Sequence, residues 1–166
     1  MYFDKFIGID WSGDKNSIQK GISVAECVRG KEVPQIVKPL DDKYWTRTSL
    51  IEWLNKEINS QRNLIGFDFA FSYPFYDRCS YFPGIKDSPI NSEKLWKLIE
   101  DKNTNAKNFY GGDIWASKTY GKFFNSPKLK GSHFASRRRC TERVAKNKIL
   151  SPSPTFNCVG PGAVGT

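Results

Sequence analysis

Apolar residues run almost unbroken from Lys5 to Trp11 (KFIGIDW), meet a carboxylate at Asp10, and stop at Ser12-Gly13-Asp14, a turn-forming triplet. The pattern predicts a strand buried on both faces with an acid at its exit. Gln19 to Val28 (QKGISVAECV) is a second strand-like run, and beyond the Arg29-Gly30-Lys31 turn a third extends from Val33 to Val37. Three such runs joined by tight turns read as an antiparallel meander. At Ser49 the period changes: Leu50, Ile51, Trp53, Leu54 and Ile58 fall at helical spacing, with Ser49 and Glu52 as a capping box. Leu64 to Phe71 (LIGFDFAF) is again dense in apolar residues, so strand, helix and strand form a crossover and this last strand lies parallel to an earlier one.

The second half is less regular. A helix is predicted from Ser92 to about Asp101, with Leu95, Trp96, Leu98 and Ile99 on one side. Asn103 to Gly131 is rich in Asn, Gly, Lys and aromatics without a sustained period and reads as loop with short elements. Arg137 to Lys148 suits a basic helix, which Ser151 to Pro154 interrupts. The last residues, CVGPGAVGT, carry three glycines and suggest a fold incomplete at the C-terminus. The expectation is one α/β domain over residues 1–166, a mixed sheet with flanking helices and a basic, irregular insertion around 103–150.

Composition sharpens this. With 12 Phe, 7 Tyr and 5 Trp in 166 residues the chain is too aromatic to stay disordered. No run of 18 apolar residues exists and no basic segment precedes an apolar one at the N-terminus, so a membrane span or secretion signal is not expected and a cytoplasmic location is. The four cysteines, Cys27, Cys79, Cys140 and Cys158, fall at no metal-finger spacing and are expected to be buried thiols. The net charge of +9 resides entirely in residues 103–150, where eleven Lys and Arg face only Asp113 and Glu142. A basic third of a chain is what binding to a phosphate backbone requires, and equally what many soluble surfaces carry.

The chemistry concentrates in Asp10 and Asp68, each ending an apolar strand and each two residues after a glycine (GID, GFD). A carboxylate buried there needs an ion pair, a hydrogen bond or a metal ion. On parallel neighbouring strands both acids emerge at one sheet end and suit Mg²⁺ or Mn²⁺, hard cations that take oxygen ligands. The plainer explanation is that each caps the turn that follows. Ser12 and Ser72 are placed to orient the acids through hydrogen bonds. His133 is the sole histidine and has no partner at ligand spacing, and Gly160 to Thr166 lacks the lysine of a phosphate-binding loop.

The order GIDWSG, meander, helix, GFDFAFSYP resembles the ribonuclease H-like superfamily, and more narrowly the DUF429-type predicted nucleases. The segment Arg139-Cys140-Thr141-Glu142-Arg143 and the glycine-rich Val159 to Gly165 are also similar to stretches of those families. The resemblance implies metal ligation by Asp10 and Asp68, and a third carboxylate for which Glu142 is the candidate, followed by Asp113 and Asp14. Glu142 is equally a surface acid paired with Arg138, Arg139 or Lys146 on a helix. With two ions bound, the expected activity is phosphodiester hydrolysis of DNA or RNA. Arg137, Arg138, Arg139 and Arg143 would hold phosphates, and Phe109, Tyr110, Trp115, Tyr120, Phe123 and Phe124 would stack bases or else fill a core. Two further possibilities are a non-catalytic nucleic-acid-binding or assembly domain, and a nucleotide-binding protein of the actin and sugar-kinase type, which would need a duplicated domain.

Overall fold

The computed structural model describes residues 2–30, 33–146 and 152–159. The chain divides into two compact units, Met1–Phe69 and Ala70–Thr166. The basic segment around 103–150 belongs to the second.

The first unit is a four-stranded mixed sheet with one helix. Strands β1 (Lys5–Asp10), β3 (Ser23–Val28) and β4 (Gln35–Val37) form the antiparallel meander, and β6 (Asn63–Asp68) lies parallel to β1, in the order β4-β3-β1-β6. The crossover is α1 (Arg47–Ser60). A two-residue strand β2 (Ile18–Gln19) pairs with β5 (Trp45–Thr46) outside this sheet. The single run expected from Gln19 to Val28 is therefore broken at Lys20-Gly21-Ile22, where the Ile22 N–H closes a turn onto the Gln19 carbonyl at 3.2 Å. The last strand ends at Asp68, short of Phe71.

Helix α1 begins earlier than its apolar period suggests. Its cap is Thr46, whose hydroxyl accepts the Ser49 N–H at 2.9 Å while Ser49 Oγ accepts the Thr46 N–H at 3.0 Å. Ser49 is thus the inner member of the capping box and Glu52 takes no part. Leu50 and Leu54, one turn apart, bury themselves against Ile7, Ile9, Ile22, Val24 and Trp45. The sheet has one buried face only. Along β1, Ile7 and Ile9 are buried while Phe6, Gly8 and Asp10 are exposed, so the expectation of burial on both faces is corrected.

The second unit is held differently. It contains α2 (Ser92–Lys102), capped by Asn91 Oδ1 on the Lys94 N–H at 2.9 Å, the short α3 (Gly112–Ala116) and α4 (Cys140–Lys146). Single 3-10 turns occur at Lys107–Phe109, Gly121–Phe123 and Phe134–Ser136. Among its described residues strand pairing is limited to isolated bridges from Asn125 to Lys130 and to Asn157. Rings supply the core: Phe82 meets Tyr73, Tyr120, Phe123, Phe124 and Phe156, and Tyr73 stacks on Phe156 at 4.7 Å between centroids. Two glycines make the packing possible, since a Cβ on Gly131 would lie 2.3 Å from the Lys122 carbonyl oxygen and one on Gly121 would lie 2.8 Å from that of Trp115. Helix α4 starts three residues after Arg137, and any continuation past Lys146, like the glycine-rich stretch after Val159, lies outside the described residues.

Candidate functional site

Side chains alternate across a strand, and register decides which of them meet. On the open face of the sheet Asp10 stands beside Asp68 on one side and Ser23 on the other, and Gly8 beside Gly66 and Ala25. The two acids are therefore in-register neighbours on parallel strands about 4.8 Å apart, at the sheet end where strands of this kind present their sites. Both are exposed, and among the described residues neither carboxylate is held by a hydrogen bond or an ion pair. The premise that these acids need partners because they are buried is corrected. What favours a cation is the placement of two acids side by side in one row of the open face.

The donor set suits a hard cation. Two adjacent carboxylates offer four oxygens without a competing partner, and the glycine row beneath leaves the approach open: a Cβ on Gly8 or on Gly66 would meet nothing within 4 Å. Magnesium sites commonly use one or two carboxylates and complete the shell with water and substrate phosphate. Ser23, whose hydroxyl flanks Asp10, was not legible in sequence because only the meander register brings it there.

The loop after β1 is fixed by a residue that sequence reasoning missed. Arg47, buried at the start of α1, donates from Nη2 to the Ser12 carbonyl at 2.7 Å and to the Asp14 carbonyl at 2.9 Å, and its guanidinium lies over the Trp11 ring at 5.6 Å. This pins the chain just past Asp10. No hydrogen bond joins Ser12 to Asp10 among the described residues; the Ser12 Oγ accepts the Asp14 N–H at 3.3 Å instead. Asp14 is itself engaged by the Asn16 backbone and side-chain N–H groups, which hold its carboxyl below the usual range. Gln19, also fully buried, donates to the Asp14 and Asn16 carbonyls.

The remaining expected site residues lie in the second unit, and several have other work. Arg137 is 3% exposed, donates to Asp77 at 2.5 and 2.8 Å, and satisfies the carbonyls of Pro74, Ser80 and Tyr81. It is a structural clasp with no face left for phosphate. Glu142, 4% exposed, accepts from the Arg139 N–H at 2.9 Å, Arg139 Nε at 2.8 Å and Thr155 Oγ1 at 3.2 Å. It is the Arg139-paired acid of the plainer alternative, but buried, and its engaged oxygens do not suit it as a third ligand. Arg139 is committed to the same pair. Arg138 and Arg143 make no ion pair among the described residues, and Arg143 is exposed with Nη2 at 3.4 Å from Cys140 Sγ.

Ser72 is likewise engaged locally, its Oγ lying within hydrogen-bond distance of Tyr81 Oη at 3.2 Å and of the Tyr73 carbonyl at 3.4 Å. Of the aromatics proposed to stack bases, Trp115, Tyr120, Phe123 and Phe124 are core residues with Tyr110 packed against them, and only Phe109 is exposed. The cysteine expectation is corrected too: of the four thiols only Cys158 is buried, while Cys79 and Cys140 are exposed. Among the described residues no helix is long and apolar enough to cross a membrane, and no three His, Cys, Asp or Glu side chains converge as a metal cluster. No protein-family model, curated protein or solved structure matches the chain.

Proposed function

We propose that Asp10 and Asp68 together bind one divalent cation, Mg²⁺ or Mn²⁺, and that the protein acts on nucleic acid as a metal-dependent phosphodiesterase of ribonuclease H-like type. The observation that carries this is the pairing of Asp10 with Asp68 as neighbours on parallel strands, on one exposed face and without a compensating cation. The sheet order supports the family reading, with an antiparallel meander, a helical crossover and a parallel fourth strand. Bound there, the ion would supply charge neutralisation at a scissile phosphate and lower the pKa of a coordinated water. The residues' own part is to hold that ion at the rim of the sheet, with Ser23 offering a hydroxyl beside Asp10 and the Arg47-pinned loop fixing the strand exit.

Nucleic acid is the proposed partner because the whole positive excess falls in the second unit, where Arg138 and Arg143 join Lys118, Lys122, Lys128 and Lys130. A second reading, a binding domain without catalysis, is favoured by the donor set itself, which among the described residues stops at two carboxylates. One experiment separates the two: Mn²⁺ binding followed by electron paramagnetic resonance, beside cleavage of labelled single-stranded, duplex and hybrid substrates. Binding lost in Asp10→Asn and Asp68→Asn, with cleavage lost in parallel, supports the enzyme. Binding without cleavage supports the second reading, and no Mn²⁺ binding by the wild type removes the metal site.

A further inference from the structure

The open face of the first unit carries a pattern that is complementary to itself. Reading across the strands, the first row holds Arg62, Asp4 and Arg29, joined by the Asp4 N–H to the Arg62 carbonyl at 2.8 Å and the Arg29 N–H to the Asp4 carbonyl at 2.9 Å, with the Arg62 guanidinium ion-paired to Asp4 at 3.1 and 3.3 Å. The second row is Leu64, Phe6 and Cys27, the third Gly66, Gly8, Ala25 and Ile36, and the fourth Asp68, Asp10 and Ser23. One end of the face is thus net positive, the other carries two uncompensated acids, and between them a row of large apolar side chains borders a row of small ones. Leu64 and Phe6 are 47% and 41% exposed and Ile36 is 65% exposed, while the space above Gly8 and Gly66 is empty. Antiparallel and mixed sheets that face water on one side ordinarily carry polar residues there.

We infer that this face binds the same face of a second copy about a two-fold axis running across the strands between the second and third rows. Rotation about that axis keeps each strand opposite its own counterpart and reverses its direction. Phe6 of one copy then descends onto Gly8 of the other, and Leu64 onto Gly66. The recess over the glycines receives a side chain that successive rows, about 6.8 Å apart, place opposite it, and sheets packed about 10 Å apart leave a side chain of that length room to fill it. At the ends, Arg62 meets the partner's Asp68 and Arg29 the partner's Ser23, so the positive row of each copy faces the acidic row of the other. Two elements oppose this: Asp4 faces Asp10 between the two arginines, and Arg62 has to share its guanidinium between its own Asp4 and the partner's Asp68. The face measures about 20 Å by 14 Å, roughly 300 Å² per copy against the ~800 Å² of a stable complex, which makes the dimer weak and concentration-dependent.

The dimer covers Asp10 and Asp68 and so competes with a cation or substrate at that edge. The test is therefore sedimentation equilibrium of the full chain in EDTA, from about 10 µM to 1 mM, where no metal is bound and failure of the dimer leaves the metal reading untouched. The expected mass rises from 19.0 kDa toward twice that value, and more steeply at low salt. Gly8→Leu decides whether the recess matters. It adds apolar surface where nothing obstructs it, so a merely sticky face associates more strongly, whereas the interlocking face weakens at least tenfold. Leu64→Arg abolishes association, and Asp4→Asn strengthens it several-fold by removing the opposed acids and releasing Arg62. A monomer at every concentration overturns the inference, as does a Gly8→Leu protein that associates as well as the wild type or better.

Discussion

The first unit carries ten basic and ten acidic residues, the second sixteen against seven. They are built as differently as they are charged. In the first, backbone ladders and one capped helix bury a small set that includes Ile7, Ile9, Val24, Leu50 and Leu54. In the second, where regular structure is sparse, rings packed edge to face or tilted around Phe82 and the buried Arg137 guanidinium do the holding. The first core is mainly aliphatic, with Trp45 its buried ring, and the aliphatic side chains recur with the strand and helix periods. An aromatic core has to satisfy ring geometry first, and the chain then bends to the rings, as the close approaches at Gly121 and Gly131 record.

If that contrast holds, damage stays local to each unit. The largest effect is expected from Arg137→Ala, which leaves Asp77 unpaired and three carbonyls without a donor at a cost of about 3–5 kcal/mol. Segment-resolved hydrogen exchange should show faster exchange around Phe82, Phe123 and Phe156 while β1 and β3 keep their protection. A uniform rise across both units would break the comparison. In the other direction, Leu50→Ala is expected to cost about 2–5 kcal/mol and to loosen the sheet alone, read by the same method. Thr46→Ala removes the outer half of the capping box and should cost about 1 kcal/mol, seen as a shift in the denaturation midpoint with unchanged slope.

A smaller effect sets the pH response of the first unit. Burial lowers the affinity of Lys5 for its proton, but ion pairs to Glu57 at 2.8 Å and Glu26 at 3.0 Å outweigh it and raise the pKa above 10.5. A raised lysine pKa contributes stability that is fully present below the unfolded value and is lost as pH rises through the folded one. Lys5→Met should therefore flatten the alkaline decline above about pH 10.5 in denaturant titrations, and an unaltered decline would show that other groups cause it. The least perturbing probe is thiol labelling. Cys79 and Cys140 should react at once in the native protein, whereas Cys158, whose pKa burial pushes up to about 12, should react only when the second unit opens.

How legible all this was depended on the period of each element. The three meander strands, the crossover helix and the parallel placement of the LIGFD strand followed from dense apolar runs bounded by turns, helical spacing and crossover logic, which are local properties. The break at Lys20-Gly21-Ile22 did not, because it is driven by the pairing of Ile18 and Gln19 with Trp45 and Thr46, far along the chain. Asp10 and Asp68 stood out as acids in apolar strands. Their exposure did not, since the same residue run reads alike whether one face or both are covered.

By itself, then, the sequence determined where most regular elements of the first unit lie, that two acids end neighbouring strands, and that the positive charge gathers late in the chain. The tertiary structure alone decided that Asp10 and Asp68 share a row on an open face, that Ser23 joins them, and that Arg137, Arg139 and Glu142 serve as internal ties rather than as a site. The reason is physical. Periodicity is written into neighbouring residues, whereas register, burial and the choice of hydrogen-bond partner depend on chain segments brought together only by folding.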